Sequence, residues 1–579
     1  MSDGPFVAYL SMEIALESGM PTYAGGLGVL AGDTIRSAAD LGVRMVAVTL
    51  AHRSGYFRQA LDAHGSQGEE PDRWQPDGWL EPLAQRVRLP IEDRPVQVRA
   101  WRYRVKGVHG HEIPVYLLDT DLPGNDARDR DLTGSLYGGD DRYRLRQEAV
   151  LGVGGVLMLR ALGHHAIDRF HLNEGHAALA VLALVEEQLA RVRPGAEKRS
   201  LLQAVTAVRR QCVFTTHTPV PAGHDQFPAE LAVSVLGEAA TERLRAITRN
   251  ADLNLTELAL LSSRFVNGVA MRHGEISQGM FPDYPIRSIT NGIHPGTWAA
   301  PPFRALFDLH IRHWREDPMS LRYALGIPLD EIWWAHQGAK KALIEHVARA
   351  TPVRLDRDAL TLGFARRATA YKRASLVFHD LERLAALTSR GRPLQLVFAG
   401  KAHPRDQEGK ALIRSIFDAA QKLRGHVSVV YLPGYDVDLG RLLCAGCDVW
   451  LNTPVAPLEA SGTSGMKAAL NGVPSLSILD GWWVEGCVEG VTGWAIGNDG
   501  HPGPTGHHPT RSDEADAEAL YRKLEEAVFP CFYEYPDRFR TIMRSAIVLN
   551  ASFFNTHRMV LQYLYDAYRD APLRGNDAG

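Results

Sequence analysis

The sequence predicts an α/β protein of two domains, each a doubly wound, mostly parallel sheet, and three observations carry that prediction. At 579 residues the chain exceeds what one hydrophobic core supports. Short apolar runs alternate with helical patterns along most of its length, as in parallel sheets covered on both faces. A Pro-rich patch, HPGTWAAPPF from His294 to Phe303, interrupts the alternation and sets the expected domains at 1–300 and 301–579.

The first fifty residues read as strand (VAYLSM), glycine-rich turn (AGGLG, Ala24 to Gly28), helix (VLAGDTIRSAADLG) and strand (VRMVAVTLA), a βαβ unit opening on glycines. The alternation continues through VLMLRALG, FHLNEGHAALAVLALVEEQLARV, CVFTTHTPV and SITNGIHP. A mostly helical connector follows. LTLGFA, LQLVFAG, VSVVYLPG, CDVWLN, PSLSIL and GWAIG then form a second series of buried strands, and from Leu520 the chain reads as helices ending in a polar tail, PLRGNDAG. Two such domains face to face would put the carboxyl ends of both sheets on one cleft, where open α/β sheets bind ligands.

Composition excludes several classes. With 45% hydrophobic and 23% charged residues and a net charge of −3, the chain is neither disordered nor fibrous and has no basic field for nucleic acid or an anionic membrane. The N-terminus has no signal pattern and the longest apolar runs are too short for a bilayer, so a cytoplasmic protein is expected. Five cysteines, Cys212, Cys444, Cys447, Cys487 and Cys531, suit free thiols better than a disulfide framework. The CAGC pair lacks a second ligand pair, and the prolines and glycines of HPGPTGHH (His501 to His508) suit a surface loop, so no metal is expected.

Chemistry concentrates in a few segments. Glu459-Ala-Ser-Gly-Thr-Ser-Gly-Met-Lys467 lies between the strands CDVWLN and VPSLSIL and places a lysine at the start of a helix behind a glycine turn suited to an anion. In FARRATAYKRASL, the cations Arg366, Arg367, Lys372 and Arg373 follow a strand with no acid among them; such crowding is costly unless an anion relieves it. Gly25-Gly26 sits between strand and helix, where it serves an anion or close packing equally well. HLNEGH (His171 to His176), FTTHTPVPAGH (Phe214 to His224) and ITNGIHP (Ile289 to Pro295) each set polar groups after an apolar run. Taken singly, Lys467 is as well read as a surface charge, His176 or His217 as a satisfied structural histidine, and Trp482-Trp483 as core packing.

Taken together and in chain order, these segments resemble the active-site segments of the α-glucan phosphorylases, the glycogen, starch and maltodextrin phosphorylase family, from Tyr9-Leu-Ser-Met-Glu13 to Trp483. The resemblance implies the GT-B architecture of two Rossmann-like domains around a central cleft. It also implies pyridoxal 5′-phosphate held by Lys467, with Arg366, Tyr435, Gly462 and Thr463 around it. Arg367 and Lys372 would grip substrate phosphate with the Gly25-Gly26 backbone. His217 and Asn291 would meet the glucosyl unit, Glu459 and Ser461 would bind it from the other domain, and His176 would line the cleft. The implied reaction is retaining phosphorolysis of an α-1,4-glucan to α-glucose 1-phosphate, with glucan and inorganic phosphate as partners and a homo-oligomer compatible.

The sequence departs from the animal enzymes at Asp436, where they carry arginine, and at Thr369-Ala370, where they carry His-Glu. The first motif begins so close to Met1 that no N-terminal control segment is expected. Two alternatives stand beside this reading: a nucleotide-sugar transferase of similar outline and a catalytically silent glucan-binding protein.

Overall fold

The computed structural model describes residues 4–191, 200–220, 224–497 and 512–570. The HPGPTGHH loop and the polar tail of the sequence reading fall outside these residues, as does part of FTTHTPVPAGH. The opening βαβ unit forms as read: strand Val7–Ser11, helix Gly26–Asp40 and strand Met45–Leu50, the two strands parallel and adjacent. They sit in a nine-stranded sheet that also holds Arg169–Asn173, Cys212–Thr215, Phe265–Gly268 and Ile286–Ser288, all parallel. One edge departs from the expected pattern. Long strands Glu81–Ile91 and Arg94–Lys106 run antiparallel beside Glu112–Asp119; exposed and buried residues mix along them because one face meets solvent.

All six runs of the second series become strands of one parallel sheet. Its order runs Val427–Leu432, Leu394–Ala399, Leu360–Ala365, Val449–Asn452, Ser475–Ile478, Gly493–Ile496. Leu360–Ala365 and Leu394–Ala399 are buried at every position, since helices cover both faces. The connector is helical, with the 22-residue helix Leu329–Ala350 its longest element. Among the described residues no helix is long and apolar enough to cross a membrane.

One close contact within the first half and two connections between the halves shape the space between them. The helix Gly26–Asp40 lies hard against the segment after the first strand: a Cβ on Gly32 would fall 2.0 Å from the Ala15 carbonyl oxygen, so only glycine allows the contact. A hairpin, Arg58–Leu61 with Gln67–Glu70, reaches to the second sheet, where Gln59 donates to the Gly400 carbonyl (2.9 Å) and accepts from the Gly434 N–H (3.0 Å). The last α-helix among the described residues, Thr556–Tyr563, is expected from the sequence with the second half but returns to the first sheet. Tyr563 Oη meets Asn267 and Thr215 there, each at 3.0 Å, and its apolar face joins the core over Tyr9 and Ile35.

Candidate active site

Gly462 carries φ of +87°, a left-handed conformation natural to glycine, and caps the helix Thr463–Leu470. Lys467 is therefore the fifth residue of that helix, one turn in and on the face of Thr463, rather than at its start. Its side chain is buried, and the ammonium lies 3.9 Å from the centre of the Trp298 ring. Burial lowers the Lys467 pKa against an opposing pull from Asp33, which favours the neutral, nucleophilic amine. Trp298 is fixed by its indole N–H, which donates to Asp33 Oδ2 at 2.7 Å. Tyr435 is near the same ring: its hydroxyl and Trp298 both border the space over Gly440. Burial pushes the Tyr435 phenol up, so it stays protonated.

The four clustered cations do not share a fate. Arg366 donates to Glu459 Oε2 at 2.6 Å, and Lys372 Nζ donates to the same oxygen. Burial would raise the Glu459 pKa, but Arg366 and Lys372 outweigh it and hold the carboxyl at about 2. Arg373, with φ of +48°, turns away to the carbonyls of Thr453 and Pro454 and to Asp513 and Asp516. The expected need for an external anion is thus met within the chain for three cations, because the acids come from segments remote in sequence. Arg367 is the exception: it is exposed and pairs with no carboxylate among the described residues.

Arg367 faces the glycine turn of the first half, its Nη2 lying 3.6 Å from where a Cβ on Gly25 would sit. The turn is not free on both glycines. Glu13, 2% exposed, accepts the N–H of Ala24 (2.6 Å) and of Gly25 (3.1 Å) on Oε2, and the Tyr137 hydroxyl (2.9 Å) on Oε1. Gly25 is thereby a braced residue, while Gly26 and its successors begin a helix, whose first-turn amides lack intrahelical acceptors. Glu13 belongs to the first motif but carries no role in the sequence reading, since it lies just past the strand Val7–Ser11 and is separated in sequence from the turn that it braces.

From Tyr137 the contacts lead to the histidines. The Arg144 guanidinium lies 4.5 Å over the Tyr137 ring and donates to Asp225 (3.2 Å), beside His176, whose Nε2 is 3.3 Å from the same carboxylate. His176 is thus one member of a buried Arg144–Glu148–Asp225 network, another group the sequence reading did not foresee. His217 Nε2 meets Asn173 Oδ1 at 2.7 Å, its N–H donates to Glu174 at 2.7 Å, and burial lowers its pKa to about 4 despite Glu174, so the ring is neutral at pH 7. Asn291 joins the assembly through its neighbour Thr290, whose hydroxyl donates to Glu485 of the second half at 2.7 Å. Asn291 Oδ1 and Ser461 Oγ are buried without hydrogen-bond partners, hydroxyl-seeking groups on either side of the seam. Trp482 and Trp483, 2% and 1% exposed, are core residues and take no part in the site.

A buried amine of lowered pKa on an aromatic face, a helix N-terminus one turn before it, and paired cations at Glu459 suit an aldehyde that carries a phosphate. Comparison with known proteins gives the family. A family model described as carbohydrate phosphorylase matches residues 236–492. The chain is 39% identical to a maltodextrin phosphorylase of Thermococcus litoralis, over 98% of this chain and 70% of that protein. It is 37% identical to a glycogen phosphorylase of Mycobacterium tuberculosis over 98% and 71%, and 35% identical to a glycogen phosphorylase of Aquifex aeolicus over 97% and 86%. Identity of this extent over nearly the whole chain establishes that the chain is a glycosyltransferase and belongs to the carbohydrate phosphorylase family.

Proposed function

We propose that this protein is a cytoplasmic α-1,4-glucan phosphorylase of GT-B architecture that uses inorganic phosphate and pyridoxal 5′-phosphate to release α-glucose 1-phosphate, with retention, from the non-reducing end of a glucan. The observation that carries the reading is the meeting of the exposed, carboxylate-free Arg367 with the Gly25-Gly26 turn, beside the buried Arg366–Glu459–Lys372 cluster. The domains would divide near residue 300, with the last helix returned to the first.

In this reading Lys467 holds the cofactor, Thr463 and the amides behind Gly462 receive its phosphate with Arg366, and Tyr435 borders it. When bound, the cofactor supplies a phosphate monoester whose second pKa near 6 lets it accept and return a proton at neutral pH. Arg367, Lys372 and the Gly26 amide fix the substrate phosphate, which donates its proton to the glycosidic oxygen and then captures the glucosyl cation on the face it came from. His217, neutral because it is buried, hydrogen-bonds a sugar hydroxyl rather than repelling the developing positive charge. His176 lines the pocket, and Asn291 and Ser461 offer their unused acceptors to the remaining hydroxyls.

Extension of a maltooligosaccharide primer tests the reading. Growth of the chain from α-glucose 1-phosphate, with release of phosphate and none from a nucleoside diphosphate glucose, is the expected result. Growth from the nucleotide sugar alone would replace the phosphorylase with the transferase alternative.

A further inference from the structure

The sugar-binding groups of the proposed site come from two loops on opposite sides of the seam, Glu459 and Ser461 in the second half and Asn291 in the first. Neither Glu459–Ser461 nor Thr290–Asn291 lies in a helix or a strand, so what holds them must come from elsewhere. One short segment reaches both. Asp480-Gly-Trp-Trp-Val-Glu485 follows the strand Ser475–Ile478 and runs into a single helical turn, Trp483–Gly486.

At its start, Asp480 accepts the Glu459 N–H on Oδ2 at 2.8 Å and the Gly481 N–H on Oδ1 at 2.9 Å, so both oxygens of the carboxylate are committed to backbone. Two residues on, the Trp482 N–H donates to the Ser461 carbonyl at 2.9 Å. Gly481, with φ of +55°, permits that approach: a Cβ there would fall 2.5 Å from the Ser461 carbonyl oxygen. At the other end, Glu485 accepts the Thr290 hydroxyl on Oε2 at 2.7 Å and the Met271 N–H on Oε1 at 2.9 Å, both from the first half. Arg558 closes the grip on that side by donating to the carbonyls of Thr290 (2.7 Å) and Asn291 (2.9 Å).

The segment between the two acids is stiff. Trp482 and Trp483 are buried with ring centres 5.1 Å apart, and Trp482 meets Phe554 edge to face at 5.0 Å. Burial pushes both carboxyls up, Asp480 to about 7, as befits acids retained for position rather than for stability.

We propose that Asp480 and Glu485 are positioning residues, and that the segment they bound is a rigid spacer fixing the sugar-binding loops of the two halves relative to one another. The inference rests on the glucan reading above and deepens it. Neither acid touches the sugar: Asp480 acts through Glu459, and Glu485 acts through Thr290 and Asn291.

Initial rates of maltodextrin phosphorolysis by the cofactor-loaded full chain test this through two double-mutant cycles. Asp480→Asn keeps the size of the side chain but turns an amide donor toward a backbone donor, and Glu485→Gln does the same at the other end. Each should lower kcat/KM for the glucan about 10- to 100-fold, as loss of a hydrogen bond to a charged group does. Beside Glu459→Ala, Asp480→Asn should then lower kcat/KM by less than about threefold more, and Glu485→Gln should do likewise beside Asn291→Ala, because nothing is left to position. A merely structural role would multiply in full.

A loss below about threefold in either single variant, or full multiplication in either cycle, overturns the proposal and leaves the phosphorylase reading intact. Absence of α-glucose 1-phosphate from the unsubstituted protein with any α-glucan overturns both. Should a variant at Asp480 or Glu485 not fold, Thr290→Val decides, since it removes only the hydroxyl that crosses the seam to Glu485. A loss of about tenfold that disappears beside Asn291→Ala supports the spacer, and an unchanged kcat/KM removes it.

Discussion

Replacing Glu459 with glutamine should expose what this carboxylate does when no substrate is present. It is 7% exposed and accepts from two cations that are themselves enclosed, Arg366 and Lys372. Held at about 2 against an ordinary 4.5, the carboxyl gains about 3 kcal/mol from these partners at pH 7. Removal of one member of a buried ion pair costs a similar amount, about 3–5 kcal/mol, since the partner charges stay behind. The sign follows from the depressed pKa: the contribution is full above about pH 4.5 and fades as pH falls towards about 2. Glu459→Gln should therefore be about 3 kcal/mol less stable to urea at pH 7 in phosphate-free buffer, and the gap to the unsubstituted protein should narrow in acid. Inorganic phosphate should rescue the variant more than the unsubstituted protein, because it supplies the negative charge that Arg366 and Lys372 have lost. A loss below about 1 kcal/mol, or equal stabilisation of both proteins by phosphate, would refute the view that Glu459 stands in for an anion among these cations.

Other substitutions separate holding from catalysing. Lys467→Ala removes a buried charge with no counter-ion at hydrogen-bond distance, so thermal stability should hold or rise while borohydride-trappable cofactor disappears; a folded variant that still takes up label would place the attachment elsewhere. Arg367→Gln touches an exposed, unpaired side chain and should leave stability within about 0.5 kcal/mol while raising the KM for phosphate at least tenfold, as initial-rate kinetics would read. Tyr137→Phe deletes one of three hydrogen bonds to Glu13 and should cost about 1 kcal/mol in unfolding and lower kcat through a looser glycine turn; an unchanged kcat would cut Glu13 from the site. Burial lowers His52, His217 and His557 to about 4 and His171 to about 3. The unfolded chain therefore binds more protons than the folded one between about pH 6.5 and 4, and stability should fall steadily over that range in a pH series of urea midpoints.

What the sequence made legible was the local chemistry. LTLGFA, LQLVFAG and their companions read as strands because each is apolar throughout, and all six entered one sheet. The motif around Lys467 and the RRATAYKR cations were recognisable through their resemblance to phosphorylase segments, whereas Lys467 taken singly reads as well as a surface charge. What stayed hidden was every relation fixed by tertiary contact. The antiparallel edge at Glu81–Lys106 carries too many charges to look like a strand, since only one of its faces is covered. That Glu459 pairs with both Arg366 and Lys372 depends on a separation of roughly ninety residues being closed by the fold. Glu13 bracing Gly25 and Asp33 holding Trp298 likewise join elements that sequence proximity does not connect. The position of Lys467 one turn into its helix turned on a single residue, because Gly462 took the left-handed cap and Thr463 began the helix.

We propose that Lys467, Arg367 and the glycine turn serve phosphate-dependent cleavage of an α-glucan. The most direct measurement is release of α-glucose 1-phosphate from a maltodextrin by cofactor-loaded protein, with and without inorganic phosphate, beside the Lys467→Ala variant. Product that requires phosphate and vanishes in the variant is the predicted result; product in the variant, or none from any α-glucan at saturating phosphate, would contradict the claim.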